Sequence, residues 1–235
     1  MVKRKTAIKL RQAHRYLGLF IGIQFIIWTV SGMYFSWTDL DEIHGDHFKK
    51  ENVENPAFSG LPGPGKMLSN TPVSSLELKD IGGQAFYLVN GNNLIDPITG
   101  EERPDITREE ALKIANKHMR DDLEVTGIEL INETGEHHEY RSGALPAYVI
   151  SYKEPGDLKA YVSVEDATFR SVRHRDWRWF DFLWMTHTMD YEGRDDFNNL
   201  VLRIFSLMGL ITVLSGFVLW YISSPSIRKL QKRFK

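Results

Sequence analysis

The sequence contains no cysteine. That absence excludes disulfides, thiolate zinc sites, iron–sulfur clusters and covalently attached CxxCH haem, and leaves His, Asp and Glu as the strong metal ligands. Any haem in this chain is therefore of the b type. The G-x-S-x-G, H-E-x-x-H, P-loop and G-x-G-x-x-G runs are also missing. Nothing argues for hydrolysis or for a nicotinamide or flavin enzyme, so electrons would have to come from another protein or a membrane quinol. Neither sign of charge dominates, with 29 Lys+Arg against 31 Asp+Glu.

That balance conceals a segregation. Residues 1–15 hold six basic residues (Lys3, Arg4, Lys5, Lys9, Arg11, Arg15) and no acid, and residues 223–235 hold five (Arg228, Lys229, Lys232, Arg233, Lys235) and no acid. The stretch between them keeps 18 basic residues against all 31 acidic ones, a net charge of −13. Two basic ends around an acidic body argue against a nucleic-acid partner.

Just inside each basic end lies an uncharged apolar run. Residues 16–38 form 23 consecutive residues without a formal charge, and residues 204–227 form a second such run whose apolar part ends near Ile222. At about 1.5 Å per residue, each crosses a hydrocarbon core about 30 Å thick. The first run is too long for the apolar region of a signal peptide, and residues 33–37 lack a small-residue cleavage site, so it reads as an uncleaved anchor. Lys and Arg outside both spans place both termini in the cytoplasm by the positive-inside rule. Gly18 and Gly22, Ser31–Gly32, Gly209 and Ser215–Gly216 are small residues that allow close helix approach, or clearance for a flat cofactor or a dimer partner.

The resulting expectation is an α+β protein in which two transmembrane helices, in hairpin topology with both termini inside, flank an extracytoplasmic domain. Its segments are a basic tail (1–15), helix 1 (16–38), a juxtamembrane segment and Pro/Gly-rich linker (39–74), a folded domain (75–174), an interfacial Trp-rich segment (175–196), helix 2 (197–222) and a second basic tail (223–235). Within the domain, residues 85–89 and 94–99 read as strands joined by an Asn90–Gly91 type I′ turn. Thr107 with Glu109 and Glu110 opens a helix reaching about Arg120, with Ala111, Leu112, Ile114, Ala115 and Met119 on its apolar face. Strands follow at 125–132, 147–153 and 160–164, giving helix on antiparallel sheet. Trp177, Trp179, Phe180, Phe182, Leu183 and Trp184 mark a helix in or on the outer leaflet, and Asp195 or Asp196 is placed to cap helix 2 near Phe197.

Several runs then combine: His14-Arg15-Tyr16-Leu17-Gly18 and Ser31-Gly32-Met33-Tyr34-Phe35 in the first span, Ile43-His44-Gly45-Asp46-His47 after it, and the helix opening at 107–115. Thr186-His187-Thr188-Met189-Asp190-Tyr191, Arg194-Asp195-Asp196-Phe197-Asn198 and Ser215-Gly216-Phe217-Val218-Leu219-Trp220 complete the set. Together they cover nearly the whole chain, which resembles the PepSY-associated transmembrane proteins, with the outer domain resembling a PepSY domain. The resemblance implies a bacterial inner-membrane protein whose larger four-span relatives include ferric-siderophore reductases with b-type haem between their helices. This chain has two spans, so a full haem-bearing bundle would take a homodimer or another membrane subunit.

A b-type haem takes its axial ligands from imidazoles near span boundaries. His187 falls on the aromatic face of the Trp-rich helix, three to seven residues after Phe180, Leu183 and Trp184, and His47 lies beyond the first span on the same outer side; they form a candidate axial pair. His14, at the inner end of the first span, could serve an inner-side haem through a partner chain, or sit among headgroups beside Arg11 and Arg15. Glu42, His44, Asp46 and His47 crowd four N/O ligands into six residues and are the alternative candidates for an iron, zinc or copper site. His137 and His138 read as a solvated turn, and His118 and His174 have no distinguishing company.

Two functions follow. One is a membrane-anchored redox or metal-handling protein that uses b-type haem near the outer leaflet to pass electrons to a periplasmic acceptor such as a ferric complex. The other is a scaffold without chemistry, whose outer domain contacts or inhibits a periplasmic partner through an exposed strand edge. The juxtamembrane histidines separate the two, because the scaffold has no use for them.

Overall fold

The first uncharged run is carried on one long helix, α1 (Arg4–Trp37), and the second on α5 (Leu200–Ser223). The coordinates are those of a computed structural model that describes residues 4–65, 68 and 72–225. Lys3, the basic cluster from Arg228 to Lys235, and linker positions 66, 67 and 69–71 lie outside the described residues. Among the described residues these are the two helices long and apolar enough to cross a membrane. With 34 residues, α1 extends about 51 Å, well beyond a bilayer core. The basic stretch from Lys5 to Arg15 is therefore helical and continuous with the span.

The chain divides into two compact units, one made of the N-terminal chain up to Trp37 with the chain from Asp181 onward, the other of Thr38–Phe180. In the first unit α1 and α5 pack together. Phe20 meets Phe205 with ring centroids 5.5 Å apart, and Gly209 is the close-approach point: a Cβ there would come within 3.1 Å of the Phe25 ring. The glycine pair of α1 behaves otherwise. A Cβ on Gly18 would make ordinary contact with Thr212 at 3.9 Å, and one on Gly22 would meet nothing within 4 Å. Within the chain it is the glycines of α5 that give clearance.

Helix α5 starts at Leu200, three residues later than the Asp195/Asp196 reading predicts, because Asn199 is the N-cap. Its Oδ1 accepts from the Leu202 N–H (2.8 Å), while its Nδ2 donates to the Thr188 carbonyl (3.0 Å). A carboxylate could supply the first bond and not the second, which is the physical reason an amide holds this position. Asp195 and Asp196 lie in the turn before it, where Asp196 Oδ1 accepts from Asn198 N–H.

The second unit contains the short helix α2 (Leu40–Ile43), a 3₁₀ turn (Asp46–Phe48), two four-stranded antiparallel meanders and α3 (Arg108–His118). The first sheet runs β1 (Leu76–Ile81), β2 (Gln84–Val89), β3 (Asn93–Ile95), β4 (Glu102–Arg103); the second runs β5 (Val125–Ile131), β6 (Ala147–Tyr152), β7 (Lys159–Ser163), β8 (Phe169–Arg173). The turn at Asn90 and Gly91 is present, both with positive φ (55° and 82°), but Val89 pairs with Asn93, so three residues form the loop. The returning strand ends at Ile95 because Asp96 Oδ1 accepts from the N–H groups of Ile98 and Thr99, turning the chain early.

Thr107 caps α3 as a full capping box with Glu110. Ala111, Ile114 and Ala115, at i, i+3 and i+4, join Phe86, Leu88 and Leu94 of the first sheet and Ile150, Ala160, Val162 and Val172 of the second in one core. Strand β7 is buried on both faces from Ala160 to Ser163, because Tyr140 and Leu145, in the β5–β6 connection, cover the sheet's other side against Val149 and Tyr161. Tyr140 stacks on Tyr161 at 4.5 Å, and the Tyr161 hydroxyl donates to Glu139 at 2.6 Å. Helix α4 (Arg175–Thr188) is the predicted Trp-rich helix and follows β8 directly.

Candidate functional site

The candidate site is built on the polar residues of α1 that face α4. Gln24, Trp28 and Ser31 recur at i, i+4 and i+7 on one face of the helix. Gln24 Nε2 donates to the Thr186 carbonyl (3.1 Å) and Trp28 Nε1 to the His187 carbonyl (2.7 Å). With Asn199 on the Thr188 carbonyl, three consecutive carbonyls at the C-terminal end of α4 have side-chain donors. Helix ends leave such carbonyls without intrahelical partners, and in apolar surroundings each unmet one is costly. This set of bonds holds the last turn of α4, and with it His187.

The His187 ring is half-buried between aromatic rings, edge-on to Phe35 at 5.5 Å and tilted to Trp28 at 6.5 Å, and Phe35 in turn meets Trp184 at 5.7 Å. Its Nδ1 lies 2.7 Å from Ser31 Oγ. Toward the other end of α1, His14 is also half-buried, with Nδ1 2.7 Å from Ser215 Oγ on α5. Gly216 makes room for that ring, since a Cβ there would lie 3.3 Å from His14 Cε1. Thus His14 turns toward α5 and a serine hydroxyl. Among the described residues, neither Nε2 has a hydrogen-bond partner. The two pairs sit near opposite ends of the packed α1/α5 length.

The loop that returns from α4 to α5 is wired by carboxylates. Buried Asp181 pairs with Arg194 at 2.6 Å, and Asp190, also buried, accepts from the N–H groups of Gly193 (3.2 Å) and Asp196 (2.8 Å). Burial opposes ionisation of Asp190, yet the backbone donors around it outweigh burial and hold its carboxyl below the usual aspartate range. The acidic run after His187 is thus a turn-forming device.

The remaining candidates lie in the second unit. His47 is exposed, its ring 3.9 Å from that of Phe48 and edge-on to His174 at 5.5 Å. Glu42, His44 and Asp46 are also exposed, and Asp46 pairs with Lys49 at 2.6 Å, a hydrogen bond that lowers its pKa. Among the described residues no three His, Asp or Glu side chains converge as a metal-binding group. His47 and His187 belong to different units, and each is placed by its own neighbours.

The residue that sequence reasoning passed over here is His174. It is buried, with Nε2 3.1 Å from both the Glu42 and Ile43 carbonyls, so Nε2 carries the proton. Burial, the dominant cause, pushes its pKa down despite those carbonyls. Gly45, with φ 74°, lets the segment close over it, since a Cβ there would lie 2.9 Å from Val172. A lone His after a strand carries no sequence signal for this. The serines, by contrast, were visible only as small residues, and their chemistry emerged from the pairing.

The family described as the PepSY-associated TM region matches residues 1–222. No match was found among curated proteins or among solved structures.

Proposed function

Because this chain belongs to the PepSY-associated transmembrane family and is a membrane protein, we propose that it is a redox protein of the bacterial inner membrane that binds b-type haem. In this reading both termini face the cytoplasm, the domain of residues 38–180 faces the periplasm, and electrons pass to an outer acceptor such as a ferric complex. The observation that carries the proposal is the pair of half-buried imidazoles, His187 and His14, each anchored at Nδ1 by a serine and with no hydrogen-bond partner for Nε2 among the described residues.

The donor set fits the group. Imidazole nitrogen is the usual ligand of b-type haem, and a metal-bound histidine characteristically has its other ring nitrogen hydrogen-bonded. Trp28, Phe35 and Trp184 give His187 an apolar, aromatic setting suited to a porphyrin face. Bound haem would supply a one-electron couple. The chain's own contribution is to hold each imidazole in a fixed place, to exclude water with those rings, and to present the two ligands near opposite ends of the helix pair. Each of these two places offers one imidazole, so a haem held by two histidines would need a second one from elsewhere, for which a second copy of this chain would be the simplest source.

The test is an optical spectrum of detergent-purified protein, oxidised and dithionite-reduced, after expression with ample haem, with haem counted by pyridine haemochrome. A sharp reduced α-band is the expected result, with His187→Ala and His14→Ala each removing part of the haem. A featureless spectrum after loading would overturn the proposal. Reporter fusions at residue 120 and at the C-terminus test the topology.

A further inference from the structure

We infer that Ser31 and Ser215 are positioning residues that lock His187 and His14 in the Nδ1-protonated tautomer, so that Nε2 carries the lone pair at both sites. A serine hydroxyl has a single hydrogen to donate. Ser31 Oγ lies 2.6 Å from the Ile27 carbonyl, one turn back on its own helix, and Ser215 Oγ lies 2.7 Å from the Thr212 carbonyl. A carbonyl oxygen only accepts, so at those distances the hydroxyl hydrogen lies between the two oxygens. The same hydroxyl then has lone pairs alone to offer the imidazole 2.7 Å away. The short contact is satisfied when Nδ1 carries the hydrogen and donates to Oγ, and the neutral ring is then unprotonated at Nε2.

The device occurs twice with the same parts. In each case a Ser-Gly step in one helix receives a histidine from another, α4 onto α1 and α1 onto α5. In apolar surroundings a serine bonded to its own helix carbonyl is a rigid acceptor, since rotating the hydroxyl away would strand that contact. The inference rests on the haem reading only for its purpose. The tautomer itself is a property of the chain alone.

The test uses the full-length protein, ¹⁵N-labelled at histidine, in lipid bilayers without haem and above the histidine titration range, where the ring ¹⁵N shifts distinguish the tautomers. His187 and His14 are expected as Nδ1–H. Ser31→Ala should shift His187 toward the Nε2–H form and leave His14 unchanged; Ser215→Ala should do the reverse. Ser31→Thr, which keeps the hydroxyl, should restore the wild-type pattern and guards against a folding failure of the alanine variant. Haemin titration adds a second readout, with an expected loss of about tenfold or more in affinity for the alanine variants. Nε2–H rings in the wild type, or alanine variants with unchanged shifts, would overturn the inference. Wild-type Nδ1–H rings that follow the serines but bind no haemin would uphold it and sink the haem reading instead.

Discussion

Ser31 Oγ and His187 Nδ1, 156 residues apart in the chain, lie 2.7 Å from each other. That contact joins the C-terminal part of α1 to the last turn of α4, and the bonds around it make the join specific. Trp28 and Gln24 hold the carbonyls of the same turn, so α4 ends where α1 provides donors.

Replacing Trp28 by Phe should keep most of the packing against His187 and strand the His187 carbonyl. Leaving such a group unmet in an apolar setting costs about 1–3 kcal/mol. Thermal unfolding in micelles should show a lower midpoint for W28F, and Gln24→Leu should act in the same direction through the Thr186 carbonyl. An unchanged midpoint for both would mean that these bonds do not hold the end of α4.

Asn199→Asp distinguishes a simple N-cap from a double one. Asp caps helices as well as Asn and suits the positive end of the helix dipole, so a simple cap would be unaffected. Here the variant loses the donor to the Thr188 carbonyl. A drop of about 1 kcal/mol or more in stability is expected, and N199D behaving like the wild type in a melting curve would contradict the double role.

The glycines of the two spans should respond in opposite ways. Gly209→Val presses on the Phe25 ring, already within 3.1 Å of a bare Cβ, and overpacking of this kind costs about 1–3 kcal/mol. Gly22→Ala places a Cβ that meets nothing within 4 Å among the described residues and improves helix propensity by up to about 1 kcal/mol. Melting of both variants in micelles checks the contrast, and destabilisation by G22A would reveal a contact made with another chain.

Acid should weaken the 38–180 domain through two histidines, buried His174 and half-buried His118. Burial lowers the pKa of His174 below the ordinary value of 6.5; burial first, then neighbouring Lys117 and Lys49, does the same for His118, which stacks on Phe169 at 4.6 Å. The folded chain binds these protons less readily, so as pH falls below 6.5 the unfolded chain takes them up first. Their contribution is complete above that pH and is lost as pH falls through the folded values. Melting temperature should decline from pH 7 toward 5, and His174→Gln should flatten part of the slope.

Glu110 adds a second loss at lower pH. Burial opposes its charge, but bonds from the Thr107 backbone and hydroxyl and from Arg103 prevail and lower its pKa from the ordinary 4.5. Its contribution is present above 4.5 and disappears as pH falls through the lowered value. Thr107→Ala should cost about 1 kcal/mol at pH 7, measured by melting, and the cost should shrink in acid as Glu110 protonates.

Much of this architecture is readable from local chemistry. An uncharged run of 23 residues has to leave water whatever its neighbours are, so the two spans follow from composition alone. The capping box at Thr107 and Glu110 and the apolar spacing of Ala111, Ile114 and Ala115 are equally local and form where their residues predict; the strands expected at 125–132 and 147–153 form to within a residue, and the Asn90–Gly91 turn forms with one residue more in its loop. Strands β1, β4 and β8 were not legible, since their pattern is weak until a partner strand supplies the hydrogen bonds. The site was least legible of all. His187 and His14 stood out by type and position, but Ser31 and Ser215 read as small packing residues, and His174 as nothing in particular. The reason is that a hydroxyl or imidazole acquires its role from the group placed 2.7 Å away, and those groups lie 156 and 201 residues distant in sequence. Helix and span are consequences of neighbours along the chain, whereas the choice of which nitrogen carries a proton belongs to neighbours that only the folded helix pair brings together.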